Sequence, residues 1–88
     1  MQSSTAPDEE IMRRYLSGDA AAFEEIYRRH SPKVYAYLHR KLARSSEVDD
    51  VHQVIFLKFH RVRHRYDAKF PVLQWLFVIA RTTLVDHY

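Results

Sequence analysis

Apolar residues recur along this chain at intervals of three and four positions, the spacing that places side chains on one face of an α-helix. Interruptions are few: a single glycine, Gly18, and three prolines, Pro7, Pro32 and Pro71. No stretch alternates apolar and polar residues with the period of a β-strand. The pattern therefore predicts an all-α fold, a compact bundle of three to four main helices.

The first half of the chain predicts a short helix followed by a longer helical region. The short helix begins after Pro7 and ends at Gly18, and its apolar positions are Ile11, Met12, Tyr15 and Leu16. Asp19 is expected to cap the next helix, because an aspartate side chain can accept hydrogen bonds from free backbone amides. Ser31 followed by Pro32 is typical of a further helix start, so the residues beyond form either a third helix or a kinked continuation.

The second half predicts two more helices separated by a loop. Ser46 with Asp49 resembles a capping box, which predicts a long helix from this point to about Arg63. The spacing is lost over residues 64–70, which predicts a loop, and Pro71 is expected to open the last helix. One arc of the long helix is expected to face the core; it contains Val48, Val51, Ile55, Phe59 and Val62.

Length and composition predict one small domain. The chain has 88 residues, 47% of them hydrophobic, which is sufficient for one packed core. Residues 1–7 are small and polar, lack the apolar core of a signal peptide and are expected to be disordered. There is no cysteine and no apolar run long enough to cross a bilayer. We therefore expect a cytoplasmic protein without a membrane partner.

Charged residues are segregated into blocks, although the net formal charge is only +3. Residues 1–25 hold six acids and two arginines, and residues 26–44 hold six bases and no acid. Residues 45–56 hold three acids and no base, and residues 57–70 hold five bases and one acid. Such blocks are either solvated helix faces or separate docking surfaces, an acidic one for a basic partner and a basic one for phosphates.

Five short segments occur in order between Leu16 and Tyr88: Gly18-Asp19 with residues 22–27, residues 34–38, residues 50–53 with 56–58, Tyr66-Asp67, and residues 75–76 with 79–81 and 86–87. Together they resemble region two of the extracytoplasmic-function sigma factors, within the sigma-70 superfamily. The resemblance implies a non-enzymatic domain in transcription initiation. It implies binding to the clamp helices of the largest subunit of core RNA polymerase and to the single-stranded minus-ten promoter element, on the non-template strand. An anti-sigma factor is a further candidate partner.

Binding a melted strand requires cations for phosphates, aromatic faces for stacking and a loop that can enclose an unstacked base. The loop from His64 to Leu73 meets this description and is our candidate for base capture. The alternative is a plain connection between helices with a solvated basic rim, and an aromatic residue such as Trp75 is more often part of a core. The candidate DNA-binding residues are Lys58, Arg61, Arg63, Arg65, Tyr66, Lys69, Phe70, Trp75 and, from the resemblance, Arg81.

The long helix also has an outward face, opposite its apolar arc. Asp50, Gln53, Val54 and Leu57 project there, and they are the candidate polymerase-binding residues. Exposed aliphatic groups on such a face gain hydrophobic free energy only when a partner covers them. The alternative is that Leu57 packs beneath the first helix.

Three positions depart from the family pattern. Val54 stands where an acid usually follows the glutamine, Thr82 where an asparagine follows Ala-Arg, and Val72 where an aromatic residue is common. The second sigma domain is absent from this sequence, so we expect either an excised domain or an incomplete factor. Val54 and Thr82 favour a rival hypothesis, a sigma-like interaction module that binds polymerase or an anti-sigma factor without reading DNA, whereas the five bases from Lys58 to Lys69 favour DNA binding.

Catalytic and metal sites find little support in the sequence. Among six histidines, His60 and His64 could share a helical face, but no third ligand lies at a matching spacing nearby. The serines are expected in turns and caps, without the base and orienting group that nucleophilic catalysis requires. We therefore expect no enzyme activity, no metal and no cofactor.

Overall fold

The computed structural model describes residues 5–87, and within them the chain forms four α-helices joined by short connections. Helix α1 packs mainly on α2, α3 packs mainly on α4, and α2 also contacts α3. The described residues contain no strand, and the expected all-α bundle is confirmed. The helices are α1 (Asp8–Leu16), α2 (Ala20–Lys41), α3 (Ser45–Arg61) and α4 (Val72–His87), with a 3-10 turn at Arg63–Arg65.

The turn between α1 and α2 forms as its sequence predicts. Gly18 has φ +103°, a conformation that residues with a Cβ atom rarely adopt, and its N–H donates to the carbonyl of Tyr15 at 3.0 Å. The Asp19 carboxylate accepts a hydrogen bond from the N–H of Ala21 at 3.0 Å. The predicted glycine stop and aspartate cap are therefore confirmed.

Helix α2 continues through Pro32, so the predicted N-cap at Ser31 is wrong. Pro32 lies inside the helix, where its missing N–H removes one backbone hydrogen bond. Ser31 is buried, and its hydroxyl lies 3.0 Å from Nε2 of His52 on α3. Burial of Ile26 before the proline and Val34 after it offsets the lost hydrogen bond, because both side chains contribute to the same core.

Helix α3 begins without the predicted capping box. Its N-cap residue is Arg44, in extended conformation and without a capping side-chain hydrogen bond, so Ser46 already lies inside the helix. The helix ends at Arg61 rather than Arg63. The predicted core arc is confirmed at Val48, Val51, Ile55 and Phe59, which are buried, whereas Val62 is partly buried against the core.

Aromatic rings occupy the centre of the bundle. Phe59 of α3 is fully buried, stacks on Tyr15 of α1 at 5.7 Å between ring centroids, and meets Trp75 of α4 edge-on at 5.6 Å. Helix α4 begins after Pro71, as predicted. It adds buried residues along its length: Val72, Leu76, Ile79, Ala80, Thr83 and Leu84.

The N-terminal stretch is described only in part. Residues 1–4 of the segment expected to be disordered lie outside the described residues. Ala6 is partly buried against the core, and Pro7 precedes α1 in an extended conformation. Within residues 5–87 no helix combines the length and the apolar character needed to cross a membrane.

Candidate nucleic-acid and polymerase interfaces

The connection between α3 and α4, residues 62–71, is a turn held by its own hydrogen bonds; we refer to it as the capture loop. The Tyr66 hydroxyl donates to the Phe70 carbonyl at 2.6 Å, and the Phe70 N–H donates to the Asp67 carbonyl at 3.0 Å. The Asp67 carboxylate accepts from the N–H of Lys69 at 2.9 Å. These bonds give the loop a defined shape before any ligand binds, which lowers the entropy cost of binding.

The three predicted aromatic residues of this region have different surroundings. Phe70 is 49% exposed and offers a free ring face. Tyr66 is partly buried, with its ring 5.4 Å from that of Trp75, and Trp75 packs in turn on Phe59. Burial, followed by the negative charges of Glu9, Asp8 and Asp67, raises the pKa of Tyr66, so its hydroxyl stays protonated as a donor. Trp75 therefore belongs mainly to the core, and Phe70 is the exposed ring of the three.

The predicted cations divide into three groups. Arg61, Arg65 and Lys69 are exposed at or beside the capture loop and, within residues 5–87, none of them pairs with an acid. Arg63 instead donates to the His60 carbonyl at 2.6 Å and lies 6.0 Å from the Tyr15 ring centroid. Arg63 therefore ties the end of α3 to α1.

Lys58 and Arg81 lie apart from the capture loop. The Lys58 ammonium is 3.3 Å from a carboxylate oxygen of Asp86, which places it in the groove between α3 and α4. Arg81 is exposed on α4, roughly 14 Å along the helix axis from its first residue, Val72. The structure thus does not gather all nine predicted DNA-binding residues into one cluster.

The predicted polymerase face is exposed. Asp50 and Gln53 project from α3, with Val54 41% and Leu57 57% exposed. The alternative that Leu57 packs beneath the first helix is therefore wrong. Beside this face runs a groove of about 190 Å³ between α3 and α4. It is lined by Asp50, Val51, Val54, Lys58, Thr83, Asp86 and His87.

The groove contains a residue that sequence reasoning did not assign to a site. Asp86 pairs with Lys58, so one wall of the groove carries a carboxylate from α4. The two residues are 28 positions apart, and helical periodicity does not relate positions on different helices. The only sequence signal was that Asp86 occurs in the last family-like segment, next to His87.

Asp8 and Glu25 of the first acidic block are paired inside the fold. Asp8 accepts from Arg29 at 3.0 Å and lies 2.7 Å from Nε2 of His30. Glu25 is buried and accepts from Arg28 at 2.5 Å and Arg29 at 2.8 Å. These contacts join α1 to α2 and leave Asp8 and Glu25 with little unpaired charge for a basic partner.

The family departures also have distinct surroundings. Val72 is fully buried, so an aromatic side chain there would require the core to repack. Thr82 is exposed, and its hydroxyl donates to the Ile79 carbonyl of its own helix at 3.0 Å. Within residues 5–87 no group of three or more histidine, cysteine or acidic side chains could hold a metal ion, and Nδ1 of His60 faces the Tyr15 hydroxyl at 2.5 Å.

Comparison with known proteins identifies the family. The model of sigma-70 region 2 matches residues 26–88. The chain belongs to this family. It is similar to "RNA polymerase sigma factor CarQ" of Myxococcus xanthus, with 33% identity over 75 residues, covering 85% of this chain and 43% of that protein. It is also similar to "ECF RNA polymerase sigma factor SigF" of Caulobacter vibrioides, with 30% identity over 79 residues, covering 89% of this chain and 44% of that protein.

A third relative gives the same result: "ECF RNA polymerase sigma factor SigM" of Mycobacterium tuberculosis is 31% identical over 81 residues, covering 90% of this chain and 40% of that protein. The 88-residue chain thus spans less than half the length of these curated relatives. No solved structure gives a significant match. The resemblance to region two of an extracytoplasmic-function sigma factor is confirmed, and sigma factors are non-enzymatic transcription initiation factors, in agreement with the expectation that the chain is not an enzyme.

Proposed function

We propose that this domain acts in bacterial transcription initiation in the cytoplasm, binding core RNA polymerase and the melted minus-ten element of a promoter. Polymerase binds through Asp50, Gln53, Val54 and Leu57 on the outward side of α3. The non-template strand binds at the capture loop. The observation that carries the proposal is the internally bonded loop that exposes Phe70 among cations without acidic partners.

The energetics of base capture are consistent with this loop. Stacking a base on an aromatic side chain contributes about 1–3 kcal/mol, and extruding a base from a duplex costs a few kcal/mol. Stacking on Phe70 can therefore offset much of the cost of unpairing one base. Arg61, Arg65 and Lys69 add phosphate contacts, which release counterions and make binding depend steeply on salt.

A titration with single-stranded DNA tests the proposal. Oligonucleotides of varied sequence are titrated at two salt concentrations with the parent domain, Phe70→Ala and Tyr66→Phe. We expect weak, salt-dependent binding with a preference for one unpaired base. Phe70→Ala should lower affinity about tenfold, because it removes one stacking surface. Tyr66→Phe should reduce the base preference more than the affinity, because it removes only the hydroxyl that closes the loop on Phe70.

Equal binding of all sequences by the parent and by both variants would exclude base capture at this loop. Asp19→Asn serves as a control, because it changes the cap at the start of α2 and removes no side chain of the loop. The melting temperature of each variant shows whether a lost affinity reflects local binding or global unfolding.

A second candidate function is a sigma-like module that binds polymerase or an anti-sigma factor without reading DNA. The exposure of Val54 and Leu57 beside the α3–α4 groove favours it, because both side chains would gain from burial by a protein partner. The same titration separates the two functions. Binding to core polymerase without any binding to single strands would select the second.

A further inference from the structure

The second half of α2 carries a charged surface that neither the capture loop nor the polymerase face uses. Four of its residues recur at intervals of three and four positions and so lie on one side of the helix: Lys33, Tyr37, Arg40 and Lys41. Arg44 follows in the connection to α3, as the N-cap residue of that helix, and we refer to all five residues as the α2 stripe.

All charged residues of the α2 stripe are positive. Its four cations are exposed, and within residues 5–87 neither Lys33, Arg40 nor Arg44 pairs with an acid. Residues 26–44 contain no Asp or Glu, and the chain from residue 68 to residue 85, which includes most of α4, contains none either. Other cations of α2 have acidic partners: Arg28 pairs with Glu25, and Arg29 pairs with Glu25 and Asp8. The unneutralised charge is therefore local.

An aromatic pair fixes the middle of the stripe. The Tyr37 ring meets Phe77 of α4 at 5.4 Å in a T-shaped contact. The Arg40 guanidinium lies 6.0 Å and the Lys41 ammonium 5.7 Å from the Tyr37 ring centroid. Cation–π attraction orders both side chains before a ligand arrives, which reduces the entropy lost on binding.

The stripe connects to the capture loop through α4. That helix begins directly after the loop, at Val72, and brings Phe77 against Tyr37. Arg81 follows Phe77 by one turn, on the same side of α4, and it too has no acidic partner within the described residues. The stripe and Arg81 thus lie beside α4, the helix that follows the capture loop.

We propose that the α2 stripe, together with Arg81, is a second phosphate-binding track, which holds the backbone of the single strand as it leaves the capture loop. The proposal rests on strand binding at that loop, as set out above. The track contributes affinity without base preference, because its cations contact phosphates rather than base edges. A single strand is the favoured occupant over an acidic protein because α4, which begins at the strand-binding loop, packs against the stripe through Phe77 and Tyr37.

Variants that lose cations of the α2 stripe test the proposed track. The double variant Arg40→Gln/Arg44→Gln is compared with Arg14→Gln/Arg28→Gln, which loses the same net charge from residues that pair with Glu10 and Glu25. Binding of single-stranded oligonucleotides is measured across a salt series. For the stripe variant we expect the slope of log affinity against log salt to fall by about 1.4, since each single-strand phosphate contact contributes about 0.7. The base preference should remain, and the control should retain nearly the parent slope.

A second variant tests the ordering role of the ring. Tyr37→Leu keeps every charge, so the salt slope should stay at the parent value while affinity falls about two- to fivefold, the size of a surface cation–π contact. Tyr37→Phe, which keeps the ring, should restore the parent affinity. Equal loss in both variants would show that the ring does not order the cations.

The outcomes separate this inference from the proposed function. If the stripe variant has the control's slope while Phe70→Ala still removes base preference, the track is excluded and base capture stands. If the slope is unchanged but affinity for core polymerase falls, the stripe is a protein-docking surface and the track is equally excluded. If the parent domain binds no single strand at all, both proposals fail. A loss of slope with duplex DNA only would assign the stripe to double-stranded DNA and exclude a single-strand track.

Discussion

At the scale of single residues, His52 shows how one buried side chain can make the fold sensitive to pH. It is 2% exposed, its ring stacks on Tyr35 with centroids 3.7 Å apart, and its Nε2 lies 3.0 Å from the Ser31 hydroxyl. Burial lowers the pKa of His52 below its usual value, and the hydrogen bond to Ser31 and the charge of Asp49 oppose this shift only in part. The folded state therefore favours the neutral imidazole.

The sign of the resulting pH dependence follows from linkage. Because the pKa of His52 is lower in the folded state, the unfolded chain binds more protons once the pH falls below about 6.5, the ordinary histidine value. Above that pH we expect the contribution of His52 to the free energy of unfolding to stay constant. As the pH falls toward 5, the free energy of unfolding should decrease. Urea unfolding at several pH values measures it.

Comparison between variants isolates the contribution of His52 from that of other titrating groups. Between pH 7 and pH 5, roughly the range in which histidine titrates, His52→Gln should lose less stability than the parent. An identical pH dependence in the parent and His52→Gln would contradict the assignment.

Residue-scale contacts across helices were the least accessible to sequence reasoning. Ser31 before Pro32 carried the local signal of an N-cap, but its hydroxyl is used by His52, 21 residues away. Local signals describe what a residue can do within its own turn, and a buried polar partner on another helix outweighs them. Asp19 was predicted correctly because its partner is the nearby N–H of Ala21.

At the scale of elements, the apolar periodicity predicted which side of each helix faces the core. Val48, Val51, Ile55 and Phe59 all lie inside, so the opposite side of α3 had to be outward, and Val54 and Leu57 are exposed there. Helix boundaries were less predictable at the start of α3, because Ser46 and Asp49 could form a capping box only if the helix began later than Ser45.

The outward side of α3 supports a prediction on polymerase binding. Val54 lies one turn after Asp50 and one turn before Lys58, which pairs with Asp86 across the groove. We expect Val54→Glu to tighten binding to core polymerase about tenfold, because a charge-assisted hydrogen bond contributes about 1.5–3 kcal/mol where valine can only bury area. Asp50→Ala and Gln53→Ala should weaken binding.

Affinity measurements on these variants also test the opposite outcome, in which Val54→Glu weakens binding to polymerase. If Val54 and Leu57 have become an apolar contact with an adapted partner, Val54→Glu would bury an unpaired charge and weaken binding. Glu9→Gln is a suitable control, because Glu9 is an exposed acid on α1, near Tyr66 rather than near this face. Unchanged affinity in all three α3 variants would remove this face from the docking hypothesis.

At the scale of the whole molecule, the charge blocks of the sequence acquire different meanings once the helices are packed. Asp8 and Glu25 are paired with Arg28, Arg29 and His30, so they stabilise the contact between α1 and α2. Most cations of the capture loop and of the α2 stripe pair with no acid among the described residues. Arg63 and Lys41 are not counted among them, because both have other interactions. The sequence alone left solvated faces and docking surfaces as alternatives because pairing between helices depends on the tertiary fold.

The proposed site was predictable in outline and not in detail. The order of the family-like segments indicated the α3–α4 connection, and the structure brings Tyr66, Phe70 and Trp75 together there. Which ring remains exposed could not be read from spacing, because Trp75 is drawn into the core by Phe59, a contact between helices. Lys58 was grouped with the loop by sequence proximity, although its orientation on α3 directs it to the groove.

The division of contacts over the molecule leads to a last prediction, on transcription by these 88 residues. The match spans 43% of CarQ and 44% of SigF, so more than half the length of these sigma factors has no counterpart in these 88 residues. Each phosphate or base contact contributes modestly, and promoter selection depends on their sum. We therefore expect the domain to bind core polymerase but not to start promoter-specific transcripts with it, measured by run-off transcription on a natural promoter.

A premelted template, in which the minus-ten element is already single-stranded, removes the cost of unpairing and should restore binding of the complex to DNA in the parent but not in Phe70→Ala. Specific transcripts from the intact promoter would show that these contacts alone suffice, and equal binding of both proteins to the premelted template would show that Phe70 does not hold the captured base.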